Sequence, residues 1–511
     1  MALLKLTPTD KYETATSRLQ HDTEEELLKH LPSHPENKDA SKDAKPSTVL
    51  QKQKHMQFLI RNLMGGFGSR YVSQDASQPW LLFWTLQSFS CLGVVLDPGN
   101  KQRVIDKVMR WQHPDGGFGG GPGQAAHLLT TYASVCILSM VGRPGPGGGW
   151  DDIDRKKVYE FFMSLKQPDG SFLVSHHAEV DVRGIYCLLV VAILLDILTP
   201  ELVEGTAEFV ASCQTYEGGF ASSSFPTYFP TSSPSEKPTP IPGPRPALGE
   251  AHGGYTFCAL AAWVLLQPYV EAAIPNPSDR PTINLKNLTR WLVQLQGTES
   301  ELGGFKGRTN KLVDGCYAWW CGGSFGLLEA LGVNSKPLSD NIATEEDSKE
   351  KSEEEWDDFD DGLFNSKALQ EYVLLAGQHP SGGLRDKPPK PADAYHTLYC
   401  LAGLSSAQHR IFPSKHKCET FLNTKWKDGK RKTDLGLKEE VAELDDRVRK
   451  DSLAALVSWS EDPMFATTFW HIVGGKENRI NATHPITNLT VTHTEDIFQC
   501  ILDGVLYVMI P

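Results

Sequence analysis

The sequence is short of the features that usually assign a protein quickly. Its 10 cysteines include no CxxC pair, so they read as reduced, largely structural residues of an intracellular chain. Positive charge is also scarce. With 50 Lys and Arg against 63 Asp and Glu, the net charge of −13 excludes a broad nucleic-acid-binding face. Long hydrophobic runs are missing: the longest, "IYCLLVVAILL" from Ile185 to Leu195, falls well short of the roughly 20 residues that cross a bilayer. The opening "MALLKLTPTDK" lacks the apolar stretch of a signal peptide. A soluble, cytoplasmic chain with no membrane span is expected, and the sequons at Asn287, Asn481 and Asn488 read as chance matches. "GGFGGGPG" follows no strand and carries no P-loop lysine, so it is not a nucleotide loop.

What the chain has is length, glycine and repetition. At 511 residues, 40% hydrophobic and with 44 Gly, it is too long for one small core. One plan recurs in "QHPDGGFGG" at Gln112, "QPDGSFLV" at Gln167, "QTYEGGFAS" at Gln214, "GGFKGR" after Gln296 and "QHPSGGLRD" at Gln378. Each has a Gln, a polar turn, a glycine supplying positive φ, then an apolar residue. Apolar segments rich in Leu and Ala open near Trp80, His127, Arg183, His252, Cys316 and Tyr395. Their length and lack of β-branched alternation predict helices. Amphipathic stretches such as "DIDRKKVYEFFMSLKQ" lie between them, the pattern of a helical array. The expected fold is all-α: an α/α barrel of six hairpins, apolar helices inside and amphipathic ones outside. The barrel is expected over 51–409, after a flexible polar segment at 1–50. Insertions are expected at 222–249 (Pro/Ser-rich) and 334–362 (acidic), with a charged insertion at 410–475 and a C-terminal segment at 476–511 packing on the barrel.

Residues with chemical potential gather at the starts of the inner helices: Trp80 and Trp84, His127, Arg183 and Tyr186, His252, Asp314 and Cys316, Tyr395 and His396. A closed ring would bring these starts to one mouth, where helix N-termini favour anions. Singly, a His at a helix start is more often a cap than a ligand, and an Asp-x-Cys pair is seldom a metal site. Their convergence raises the odds. Asp314, Cys316 and His396 would offer oxygen, sulfur and nitrogen, three ligands that leave the fourth position of Zn²⁺ open. An incoming thiol there would be activated as thiolate. Arg308 and Lys311 beside His252 suit a diphosphate; the bland alternative is an ordinary surface basic pair.

"DGCYAWW", "GEAHGGYTFCALAA", "VDVRGIYC", "SQPWLLFW", "GGFGGGPGQAAHLLTTYA" and "KPADAYHTLYCLAGLS" together resemble the β subunits of protein farnesyltransferases over about residues 55–409. The resemblance implies an α/α barrel that moves farnesyl from farnesyl diphosphate to the Cys of a C-terminal CaaX sequence. It also implies a prenyltransferase α subunit as partner and CaaX proteins such as Ras-like GTPases as substrates. Asp314, Cys316 and His396 match the zinc ligands. His252, Arg308, Lys311 and Tyr317 match the diphosphate group. Asp386 matches a carboxylate that helps place Mg²⁺, with Lys390 in a basic position nearby. Trp80, Arg183, Tyr186, Gly254, Cys258, Trp320 and Tyr399 match the isoprenoid pocket. Trp80, Trp84 and Tyr395, with Ser77 and His127, match the side facing the peptide.

Bulky Trp80 and Tyr399, and the carboxylate at Asp386, favour the farnesyl enzyme over a geranylgeranyltransferase type I β subunit. One departure stands out: "LLTTYA" places Leu129 and Thr130 where animal members resemble "LAPTYA", beside the pocket for the last CaaX residue. A terpene-cyclase-like barrel is the remaining enzymatic alternative, but the one DxDD match, Asp358 to Asp361, lies in an acidic run with no apolar helix to carry it. A helical scaffold is the non-enzymatic one, and it has no use for ionisable groups gathered at one mouth. "WDDFDDG" (Asp357 to Asp361) fits a DDxxD pattern but ends a Glu/Lys/Ser-rich run, so it reads as a solvated acidic stretch.

Overall fold

Five turns with the same chemistry set where the helix pairs bend. In the computed structural model of the chain, residues 12–37, 47–229, 239–333, 362–424 and 439–503 are described. Isolated antiparallel bridges join Gln112 to Phe118, Lys166 to Phe172, Gln214 to Phe220, Gln296 to Phe305 and Gln378 to Leu384. In three of these turns a threonine one turn into the next helix accepts the buried amide. Phe118, Phe220 and Leu384 each donate N–H to Thr131, Thr256 and Thr397 at 2.9 Å. Thr256→Val keeps the volume but orphans the Phe220 amide; a loss of about 1–3 kcal/mol is expected, read as a lowered midpoint in denaturant unfolding. Gly218, at φ +116°, and Gly382, at φ +88°, are required sterically: a Cβ would lie 2.2 Å from the carbonyl oxygens of Asn287 and Lys54 respectively. Each turn thus rests on an outer helix of a neighbouring hairpin.

The outer helices are Lys52–Gly65, Pro98–Met109, Arg155–Leu165, Thr206–Ser212, Leu285–Val293 and Ser366–Glu371, the last running into a π-helical turn, Tyr372–Gly377. They alternate with inner helices Gln78–Cys91, Leu128–Val141, Val182–Leu194, Gly253–Ala273, Tyr317–Trp320 with Ser324–Ala330, and Ala394–Gln408. Each inner helix packs on the next, and Ala394–Gln408 packs back on Gln78–Cys91, closing the ring. The inner ring buries nearly every face. All of Leu128–Val141 except Leu129, and all of Val182–Leu194 except Arg183, is buried. Gln378 stitches the seam, accepting from Gln51 N–H at 2.7 Å and meeting His55 Nε2 at 2.9 Å.

The structure departs from the sequence reading in two places and adds detail to it in two more. The fifth inner helix is not continuous: Cys321–Gly323 breaks it into two short pieces, because paired glycines contribute little helix propensity. Residues 1–50 are not uniformly flexible. Ala15–Leu28 is a helix, capped by Thr14 and Ser17, with Leu27 buried and Gln20 donating to Glu301 at 2.7 Å. Its single fully buried leucine gave the sequence too little apolar period to reveal it. The 410–475 stretch is fastened to the barrel. Ile411–Pro413 pairs with Trp459–Glu461, and Arg449 on helix Glu439–Val457 grips Asp196 through two bonds of 2.6 and 2.7 Å. The 222–249 insertion forms two short ladders, Ser223–Ser224 with Ala247–Leu248 and Tyr228–Phe229 with Thr239–Pro240. Arg245 anchors it to Asp169 at 2.6 Å. "WDDFDDG" and most of 334–362 lie outside the described residues.

Candidate functional site

The ionisable residues at the mouth are first of all helix caps, which fixes their side chains. His127, Asp181, His252 and Asp393 each accept a backbone N–H from the first turn of their inner helix. Asp314 accepts the Cys316 N–H at 2.9 Å. Capping and site chemistry are therefore combined in the same residues.

Asp314, Cys316 and His396 converge so that one ligand atom from each lies within 4.8 Å of the others, the one such cluster of His, Cys and acidic groups among the described residues. His396 Nδ1 meets Asp393 Oδ2 at 2.7 Å, leaving Nε2 facing Asp314 Oδ1 at 3.3 Å. Burial works to lower the His396 pKa, but Asp314 and Asp393 outweigh it and carry it up to about 10. Burial, then Asp314, pushes the Cys316 thiol well above its ordinary range. Burial and Asp314 likewise raise the neighbouring Asp386 carboxyl, against the opposing pull of Lys387. These shifts share one cause: acidic groups crowded in a buried place that calls for a cation. Oxygen, sulfur and nitrogen in one small cluster, with an outer carboxylate orienting the imidazole, fit zinc. Asp393→Asn would loosen that imidazole; a fall of about 10–100-fold in zinc affinity is expected, measured by competition with a chelating dye.

The loop beneath this cluster is fixed by backbone. Gly315 N–H and Tyr372 Oη–H both donate to the Asp386 carbonyl at 2.8 Å. Beside it lies a cationic group. His252 Nδ1 accepts from Gly254 N–H at 3.0 Å, so its Nε2 carries the proton and donates to Tyr317 Oη, also at 3.0 Å. Burial and then Arg308 and Arg183 hold His252 down to about 4, which keeps this imidazole neutral. The Tyr317 hydroxyl proton is then left free for an anion. Arg308 pairs with Glu250. Arg183 grips its own cap Asp181, with its shortest bond at 2.6 Å, and lies 5.1 Å over the Tyr255 ring. Lys311 and Lys390 are exposed in the loops leading to the fifth and sixth inner helices and make no ion pair among the described residues.

Below the mouth, aromatic rings form a closed collar. Trp84–Trp80, Trp80–Tyr132, Tyr132–Tyr186, Tyr186–Phe257, Phe257–Trp320, Trp320–Tyr399, Tyr399–Tyr395 and Tyr395–Trp84 have centroids 4.4–5.8 Å apart. Trp320 Nε1 donates to Tyr395 Oη at 3.0 Å. Cys258 is buried next to Phe257, while Ser77 and His127 stand half-buried at the rim. Thr130 turns its hydroxyl to the Phe118 carbonyl at 2.8 Å, and Leu129 stays partly exposed. The sequence reading missed two members of the collar, Tyr132 and Phe257. Tyr132, Tyr186 and Phe257 each stand five residues after their caps His127, Asp181 and His252. Counting from the caps would have found both.

The fold and the site together define a prenyltransferase toroid. A family model described as "Prenyltransferase alpha-alpha toroid domain" matches residues 50–489. The protein farnesyltransferase subunit beta of Schizosaccharomyces pombe is 38% identical over 69% of this chain and 77% of its own length. That of Pyricularia oryzae is 35% identical over 78% and 71%. In fold, a Candida albicans protein geranylgeranyltransferase-I complexed with GGPP superposes with a TM-score of 0.55 at 17% identity, covering 89% of this chain and 99% of its own. The chain belongs to the family of protein farnesyltransferase β subunits.

Proposed function

We propose that this chain is the catalytic β subunit of a zinc-dependent protein farnesyltransferase. It would move farnesyl from farnesyl diphosphate to the cysteine thiolate of C-terminal CaaX sequences, paired with a prenyltransferase α subunit. The observation that carries this reading is the placement of the Asp314, Cys316 and His396 cluster next to the His252, Tyr317 and Arg308 group, above one aromatic collar.

Zinc held by Asp314, Cys316 and His396 would supply an open position that lowers the pKa of an incoming thiol. The chain's own residues do the rest. Asp393 orients His396. Arg308, Lys311 and the outward proton of Tyr317 receive the diphosphate and offset the charge that grows as it departs. Neutral His252 donates to Tyr317 and fixes that proton's direction. Asp386 would help place Mg²⁺ on the leaving diphosphate, with Lys390 near. The collar of Trp80, Tyr132, Tyr186, Phe257, Trp320 and Tyr399 takes the hydrocarbon by burial, at roughly 25 cal/mol per Å², and keeps water from the reacting carbon. Ser77, Trp84, His127 and Tyr395 face the CaaX peptide.

The test is transfer to a CaaX peptide by the chain co-expressed with an α subunit, using farnesyl and geranylgeranyl diphosphate separately and varying Mg²⁺. Farnesyl transfer that Mg²⁺ stimulates, and that Asp386→Ala makes insensitive to Mg²⁺, is the expected result. No transfer from either diphosphate by zinc-loaded protein would sink the reading.

A further inference from the structure

The fourth Gln-to-glycine turn differs from the rest. Its bridge, Gln296 to Phe305, spans nine residues, whereas each of the other four spans six. The added residues form a one-turn helix, Glu299–Glu301, and the N-terminal helix Ala15–Leu28 packs on it. Glu301 closes that turn with its side chain wholly buried. A carboxylate in such a place persists only when its charge and its lone pairs are met. Four bonds meet them. Oε1 accepts from Gln20 Nε2 at 2.7 Å and pairs with Lys306 Nζ at 2.9 Å. Oε2 accepts from Thr298 N–H at 2.9 Å and from Thr298 Oγ1 at 3.3 Å.

Lys306 connects this buried charge to the mouth. It bridges to Val313, closing a hairpin whose tip carries Arg308 and Lys311 and whose next residue is Asp314. The tip is held from the barrel side. Gly253 N–H donates to the Gly307 carbonyl at 2.8 Å, and Thr309 Oγ1 donates to Glu217 Oε2 at 3.0 Å. The base is held from outside, by the Lys306 ammonium on Glu301. Glu26 on the N-terminal helix and His30 just beyond it lie near enough to Arg385, the neighbour of Asp386, for charge to be felt between them. The helix therefore spans the two loops that carry Arg308 and Asp386.

We propose that Glu301 is a positioning residue: through Lys306 it sets where the 306–313 hairpin presents Arg308 and Lys311, and the N-terminal helix keeps it buried and bonded for that task. This rests on the prenyl-transfer reading above, in which those two cations receive a diphosphate. Seating the helix does not by itself call for charge, because a buried ion pair is often no more stabilising than well-packed apolar residues. The place of the pair, two residues from Arg308, gives it a use. Without the carboxylate's charge, the Lys306 side chain, already 19% exposed, turns to water and the base of the hairpin shifts with it. The diphosphate cradle loosens while the aromatic collar stays as it was.

The experiment uses the complex with the α subunit and two probes that divide the co-substrate. Inorganic pyrophosphate carries the charge alone, and farnesol the hydrocarbon alone. Calorimetric titrations with each are compared for wild type, Glu301→Gln and Gln20→Ala. Pyrophosphate affinity is expected to fall about tenfold in Glu301→Gln, on the scale that misplacing a binding group costs, and to fall by less in Gln20→Ala. Farnesol affinity should match wild type in both. A merely structural role would lower the active fraction and the unfolding midpoint, with the pyrophosphate affinity of the folded molecules unmoved. Loss of both affinities together, or of neither, in folded variants overturns the positioning role. Should Glu301→Gln fail to fold, Gln20→Ala, at the half-buried edge of the contact, decides by the same comparison. Wild type that binds neither probe overturns the prenyl-transfer reading instead, and the positioning role with it.

Discussion

Replacing Cys316 by alanine is expected to strip the complex of stoichiometric zinc and to abolish measurable farnesyl transfer. The argument is geometric. Without the thiol, the cluster keeps only Asp314 and His396, which already face each other at 3.3 Å and would settle into a simple ion pair. Two ligands hold zinc far less well than three. The loss should exceed the about 100-fold that removal of an outer partner such as Asp393 costs. Burial also matters: Cys316 is 4% exposed, so water reaches the gap poorly as a substitute ligand. Metal content by atomic absorption and single-turnover rates with a CaaX peptide check this together. One zinc per complex retained in the variant would refute the ligand assignment.

Gly403→Ala should show that the geometry of the Asp314, Cys316 and His396 cluster depends on how closely two helices approach. Gly403 lies inside helix Ala394–Gln408, which carries His396. A Cβ there would fall 2.3 Å from Ala318 Cβ and 2.4 Å from the Ala318 carbonyl carbon, on the helix that follows Asp314 and Cys316. Neither obstacle is the end of a flexible side chain. Gly315 makes the reciprocal contact, where a Cβ would meet Cys400 Sγ at 2.6 Å. The added methyl must push the fifth and sixth inner helices apart, and the three ligand atoms separate with them. Overpacking of this kind costs about 1–3 kcal/mol, visible as a lower unfolding midpoint. Zinc affinity should fall in the same variant although no ligand has changed. Unaltered zinc affinity in a destabilised protein would show that the ligand spacing is set elsewhere.

Much of this architecture was legible because it is written in punctuation. The Gln-to-glycine turns mark five of the six entries to the inner ring, and ionisable residues announce every inner-helix start but the first. Asp314, Cys316 and His396 stood out because residue type and position at inner-helix starts coincided. The interior was harder to read. An inner helix such as Leu128–Val141 is buried on almost all sides, so hydrophobic periodicity cannot say which face turns toward the cavity. That is why Tyr132 and Phe257 passed as ordinary core. The N-terminal helix was hidden for the opposite reason. Its seat on the barrel rests on Leu27 and on the polar contact of Gln20 with the buried carboxylate of Glu301, and no local pattern signals a contact across so much sequence. The brace formed by Glu439–Val457 was masked by its charge, because Arg449 enters the protein through pairing that includes Asp196.

The seam where Gln378 holds Gln51 and His55 has a consequence for biosynthesis. During translation the first hairpin emerges early, yet the neighbour that covers one side of Gln78–Cys91 is Ala394–Gln408, made about 300 residues later. Until the ribosome has delivered it, an apolar helix waits uncovered in the growing chain. Both helices that flank the Asp314, Cys316 and His396 cluster also arrive late, so the site is completed only when the circle is. A nascent ring of this kind exposes apolar surface until it closes, the condition under which chaperones act.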